Sequence, residues 1–168
     1  MSLAAHSFRD LSFAICDRPT ARRELLCRGS TWSHVVSIGD PGTREVPRGN
    51  RGPARFLRLE FDDVAPGEDQ GRTPEEIRVR FGYIAATREQ IRQIVTFGEN
   101  LPPGARVLVH CEQGKRRSPA AVGIMLMSRY PDIFWPDAVA AIRRARPQAA
   151  PNAWMVQLYM HLRAEQQT

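Results

Sequence analysis

The stretch Val107-Leu108-Val109-His110-Cys111-Glu112-Gln113-Gly114-Lys115-Arg116-Arg117-Ser118 constrains this chain more than any other. An apolar strand over 105–110 runs into a short polar loop, and the loop runs into an apolar helix from Pro119 through Met127. Such a loop caps a helix N-terminus. Unpaired backbone N–H groups and the positive end of the macrodipole favour a bound anion there, and they favour Cys111 as a thiolate nucleophile. Gly114 lets the loop curl so that successive N–H groups converge on one point. Arg117 supplies a planar fork that can hold two oxygens of a tetrahedral anion at once, which a lysine could not do. Ser118 can donate a hydrogen bond to the sulfur and make it a better leaving group. His110 is expected to point away from the anion and to hold the loop through hydrogen bonds. A cysteine alone is most often a small buried apolar residue. Strand, His-Cys, central glycine, arginine, serine and apolar helix together point beyond that.

The string His110-Cys111-x5-Arg117-Ser118 resembles the signature of the cysteine-dependent protein tyrosine phosphatases, and most closely their compact dual-specificity-like branch. The resemblance runs over roughly residues 33–163, with only the signature specific. It implies hydrolysis of phosphate monoesters through a phosphocysteine, with no cofactor and no metal. The implied substrate is a phosphorylated protein or another anionic phosphomonoester, which Glu112, Gln113, Gly114, Lys115 and Arg116 would help to bind.

The same resemblance locates a general acid. In these phosphatases it is an aspartate just past a strand that precedes the signature, and the register of Phe56 to Phe61 places it at Asp63, with Asp62 as a loop-stabilising neighbour. Both aspartates could instead merely cap a turn. Trp135-Pro136-Asp137 copies the tripeptide of the acid loop in tyrosine-specific members. It follows the signature rather than preceding it, so Asp137 reads as a first-turn acid offsetting a helix dipole. Asn152 resembles the residue that ties the phosphate loop from below. Lys115 stands where many protein-directed members carry an apolar residue, and so resembles phosphoinositide and inositol-phosphate phosphatases; Glu112 would partly offset its charge. A catalytically dead phospho-binding module is the other alternative, against which the intact cysteine, arginine, serine and aspartate count.

The rest of the chain fits one α/β phosphatase domain over 1–168 with a substantial core, since 42% of its 168 residues are hydrophobic. Strands are expected at 11–16, 34–38, 56–61 and 105–110. Helices are expected at 20–27, from the Thr87-x-x-Gln90 capping box to about 97, at 119–127, at 136–146 and at 151–163. Strands separated by helices imply a mainly parallel sheet of about four strands flanked by helices, with ligands at the carboxyl ends, where Cys111 falls. Residues 39–52, rich in Gly, Pro and Arg, read as a surface loop at that same end. The polar stretch 64–73 reads as a loop that could move.

Charge and cysteine usage narrow the setting. The net charge of +6 comes almost wholly from arginines spread among acids, with Lys115 the only lysine, so nucleic acid is a disfavoured partner. Arg22-Arg23 and Arg143-Arg144 read as solvated helix faces. No apolar run is long enough to span a bilayer, and no basic-then-apolar leader opens the chain, so a cytoplasmic, monomeric protein is expected. Three cysteines without metal-ligand spacing suit a reducing compartment. Cys16 and Cys27 read as packing residues, with a protective disulfide to Cys111 as the alternative.

Overall fold

The computed structural model describes residues 3–46, 55–68 and 70–166. The elements, in chain order, are β1 (His6–Phe8), β2 (Leu11–Cys16), α1 (Arg18–Leu26), β3 (His34–Gly39), β4 (Arg55–Glu60), α2 (Pro74–Phe81), α3 (Arg88–Glu99), β5 (Arg106–His110), α4 (Arg117–Arg129), α5 (Trp135–Ala145) and α6 (Ala153–Glu165). Five strands form one sheet in the order β1-β2-β5-β3-β4. All pairings are parallel except the antiparallel β1–β2 edge. The near-continuous apolar runs of β2, β3 and β5 are buried along their length, as strands covered on both faces must be. One face carries a small cluster with α1, including Ala14, Cys16, Leu25, Trp32 and Leu108. The other carries the main core, in which α4 is the central helix, buried from Arg117 to Met127 and packed among α3, α5 and α6.

The four strands expected from sequence all form, with bounds shifted by a residue at most. The fifth, β1, has three residues, too few for an alternation to register. Helix α2 was also absent from the sequence reading. Its signal was present, because Thr73 and Glu76 make the same reciprocal capping box that marks α3, with Pro74 in the first turn. Only Ile77 of that helix is buried, so no apolar stripe drew attention to it. Helix α1 begins at Arg18 rather than Thr20, because Asp17 is the cap and accepts the Thr20 N–H at 2.8 Å. Helix α4 begins at Arg117 rather than Pro119, since a proline in the first turn gives up an N–H that has no partner there. Helix α6 begins after Asn152, which caps it by accepting the Met155 N–H at 3.1 Å.

Arg22, Arg23, Arg143 and Arg144 are exposed, as expected. Of the surface loop expected at 39–52, residues 47–52 lie outside the described residues, as does Asp69 within the stretch 64–73. Among the described residues no helix is long and apolar enough to cross a membrane.

Candidate active site

The carboxyl ends of β2, β3, β4 and β5 meet beneath the N-terminus of α4. β5 carries His110 and delivers Cys111 to the floor of an open cavity of about 350 Å³, whose lining includes Asp40, Asp62, Asp63, Tyr83, Cys111 and Arg117. The Cys111 sulfur accepts the Gly114 N–H at 3.3 Å and lies 3.2 Å from the Ser118 hydroxyl. Gly114 is required twice over. Its φ is +66°, and a Cβ would lie 2.6 Å from the Cys16 carbonyl carbon and 2.9 Å from the Asp17 nitrogen. The loop therefore folds flat onto the end of β2. No side chain caps α4, and its first turn holds no acid, so its leading N–H groups and positive dipole end are left to the loop.

Arg117 is almost fully buried. Its Nη1 donates to the Phe61 carbonyl at 2.6 Å and pairs with Asp40 Oδ1 at 2.7 Å, while its Nε has no hydrogen-bond partner. A buried donor without a partner costs about 1–3 kcal/mol, so a bound anion that supplies an acceptor gains accordingly. Arg116 also lines the cavity, at its outer side, pairing with Glu68 at 3.2 Å and lying 3.7 Å from Asp63. Glu112 pairs with Arg18 at 3.0 Å and thus does not offset Lys115, which is exposed beside it. Gln113 is exposed, and its carbonyl accepts from Arg146 at 3.2 Å.

The acid-loop residues lie against the signature loop. Asp62 accepts the Ile84 N–H on Oδ2 at 2.7 Å and donates its own N–H to the Ile84 carbonyl, which ties the loop to the segment after α2. Asp63 accepts Asn152 Nδ2 at 2.9 Å. Asn152 works differently from the sequence expectation: only its backbone N–H reaches the signature loop, at the Arg116 carbonyl, while its side chain holds Asp63 and the Val64 carbonyl. Asp137 accepts the Phe134 N–H at 2.9 Å at the start of α5 and does not line the cavity.

Two expectations need correction. His110 is buried with neither ring nitrogen hydrogen-bonded, so it braces the loop by packing and not by hydrogen bonds. That burial pulls its pKa from 6.5 down to about 4, against a smaller opposing effect of the Cys111 backbone. Cys27, expected to pack, is exposed at the end of α1. Cys16 is buried, and desolvation pushes its thiol up to about 12. All three cysteines are free.

Asp40, Tyr83 and Arg18 are neighbours of the site that sequence reading passed over. Asp40-Pro41-Gly42 is a turn signal at the carboxyl end of a strand, and could have been read as one. Nothing local marks Tyr83 or Arg18, which the fold brings in from the segment after α2 and from α1.

No protein-family model matches the chain, and no curated protein sequence matches it. Solved structures do. The Yvh1 phosphatase domain from Chaetomium thermophilum is 25% identical, with a TM-score of 0.63 over 96% of this chain and 97% of that one. Human DUSP28 is 20% identical, with a TM-score of 0.57 over 100% and 97%. The human tyrosine phosphatase-like serine/threonine/tyrosine-interacting protein is 18% identical, with a TM-score of 0.63 over 98% of both chains. The fold is that of the dual-specificity-type, cysteine-dependent phosphatases.

Proposed function

We propose that the chain is a cysteine-dependent phosphatase that hydrolyses phosphate monoesters through a phosphocysteine, acting on phosphorylated protein in the dual-specificity manner. One observation carries this reading: the Cys111 sulfur sits at the uncapped N-terminus of α4 with the Gly114 N–H and the Ser118 hydroxyl on it, in the same cavity as the Arg117 guanidinium. The dianionic phosphate docks against the loop amides and the open edge of Arg117. Cys111 attacks phosphorus, the bond to the leaving oxygen breaks, and Asp63 gives that oxygen its proton. Water, deprotonated by Asp63, then attacks the phosphocysteine, and the sulfur departs into the hydrogen bonds of Ser118 and Gly114. The presence of Cys111, Arg117, Ser118 and Asp63 together speaks against a catalytically dead binding module.

A second substrate class has its own support. Lys115 is exposed on the signature loop, outside the residues that line the cavity, and Glu112 is paired with Arg18, so the lysine's charge is placed for a second phosphate that projects from the cavity, such as that of an inositol phosphate or phosphoinositide.

Hydrolysis of an aryl phosphate tests the main reading. Turnover is expected to be competitive with vanadate, indifferent to chelators and abolished by Cys111→Ser in a folded protein. Activity retained in Cys111→Ser, or lost with a chelator, contradicts it.

A further inference from the structure

We propose that Asp40 is a positioning residue that fixes which edge of Arg117 meets the phosphate; this rests on the phosphatase reading above. A guanidinium grips a tetrahedral anion by two parallel N–H bonds, either end-on through Nη1 and Nη2 or side-on through Nε and Nη2. In this site the end-on choice is blocked. Nη1 is committed to Asp40 Oδ1 at 2.7 Å and to the Phe61 carbonyl at 2.6 Å. The donor left buried and unpartnered is Nε. The side-on edge is therefore the one presented, and its orientation is fixed at the opposite corner by Asp40.

The fold holds Asp40 in place for this. Asp40-Pro41-Gly42-Thr43 is a tight turn closed by the Thr43 N–H on the Asp40 carbonyl at 2.9 Å, with Gly42 at φ +78°. Arg58 clamps that turn, donating Nη2 to the Thr43 carbonyl at 2.8 Å and Nη1 to Ser37 at 2.9 Å. A Cβ on Gly39, just before Asp40, would have to displace the Arg58 guanidinium that clamps the turn. The Asp40 side chain is 47% exposed against 4% for Arg117, so it reaches in from the rim of the cavity and can be altered without opening the core.

Two consequences separate this role from mere charge balance or scaffolding. Without Asp40 the guanidinium keeps its charge and still attracts an oxyanion, more strongly because the competing carboxylate is gone. Its edge is then held by the Phe61 carbonyl alone, one anchor in place of two, and misplacement of about 1 Å costs on the order of 100-fold in rate. Binding and turnover should therefore part company.

The experiment measures kcat and KM on an aryl phosphate, inhibition by inorganic phosphate and the urea unfolding midpoint for wild type, Asp40→Ala and Asp40→Asn. Asp40→Ala is expected to lose about 10- to 100-fold in kcat, with phosphate inhibition equal or tighter and the midpoint nearly unchanged. Asp40→Asn still offers an oxygen to Nη1, and should recover most of kcat while phosphate inhibition tightens. Unchanged kinetics in Asp40→Ala overturn the proposal. So does a loss shared equally by kcat, phosphate affinity and stability, which would mark a structural residue. Asp40→Asn as slow as Asp40→Ala overturns it too, because charge and not grip would then be at work. An inert wild type would instead refute the phosphatase reading itself.

Discussion

Three aspartates line the cavity, each held differently. Asp40 is bound to Arg117, Asp62 to the Ile84 N–H, and Asp63 to the neutral amide of Asn152 with Arg116 3.7 Å away. In the proposed mechanism Asp63 is the group that hands a proton to the leaving oxygen. A positioned acid supplies about 10²–10⁴ in rate, so Asp63→Asn should lose activity in that range, more for alkyl than for activated aryl phosphates. The basic limb of its pH–rate profile should flatten. Asp62→Asn should lose less and show no leaving-group dependence. A Brønsted series on both variants checks this, and leaving-group dependence in Asp62→Asn would move the acid by one residue. Lys115→Ala tests the second substrate class. A fall on inositol polyphosphates several-fold larger than on an aryl phosphate supports it, and equal losses return the lysine to the solvent. Nucleophile, arginine and serine were legible because their chemistry is compressed into nine consecutive residues. Asp40 was not, because its meaning lies in a contact 77 residues away with Arg117, which no local pattern encodes.

Asn152 joins three parts of the fold, two through its side chain and one through its backbone, and this is where the Asp62–Val64 segment gets its footing. Its Oδ1 caps α6 while its Nδ2 holds Asp63 and the Val64 carbonyl, and its backbone N–H reaches the signature loop. Asn152→Ala removes a cap worth about 1 kcal/mol and two further bonds of about 1 kcal/mol each, so a drop of roughly 2–3 kcal/mol is expected in denaturant unfolding. Asn152→Asp keeps the cap but faces Asp63 with a like charge. It should lose more kcat per unit of lost stability than Asn152→Ala does, and equal ratios would reduce Asn152 to a helix cap. The helix–loop pattern around it was partly readable. The Thr87 capping box and the apolar face of α3 agreed, and that helix was found. The Thr73 box in α2 lacked a buried stripe, and propensity without burial did not carry the assignment.

Taken whole, the molecule buries two histidines, His34 and His110, the second immediately before Cys111 in the chain. His110 titrates near 4 when folded and near 6.5 when free, so the unfolded chain binds the proton first as pH falls. Its contribution to stability is fully present above 6.5 and is lost as pH falls from 6.5 through about 4, by an amount on the order of 3 kcal/mol. Urea unfolding across that range should show the loss, and His110→Asn should reduce it, leaving the part that His34, whose pKa burial also lowers, contributes in the same direction; a slope unchanged in the variant would place the proton uptake elsewhere. The mainly parallel character of the sheet was legible in the alternation of strands and helices, whereas the strand order, set by contacts distant in sequence, was not. The antiparallel β1 edge was not, being too short to announce itself. The central claim, that Cys111 carries the phosphoryl group in turnover, is tested most directly by rapid acid quench during hydrolysis of an aryl phosphate, with peptide mass spectrometry of the quenched protein. A phosphoryl adduct is expected on the Cys111 peptide, accumulating further in Asp63→Asn and absent from Cys111→Ser. Steady turnover with no adduct on Cys111, or an adduct on another residue, would contradict it.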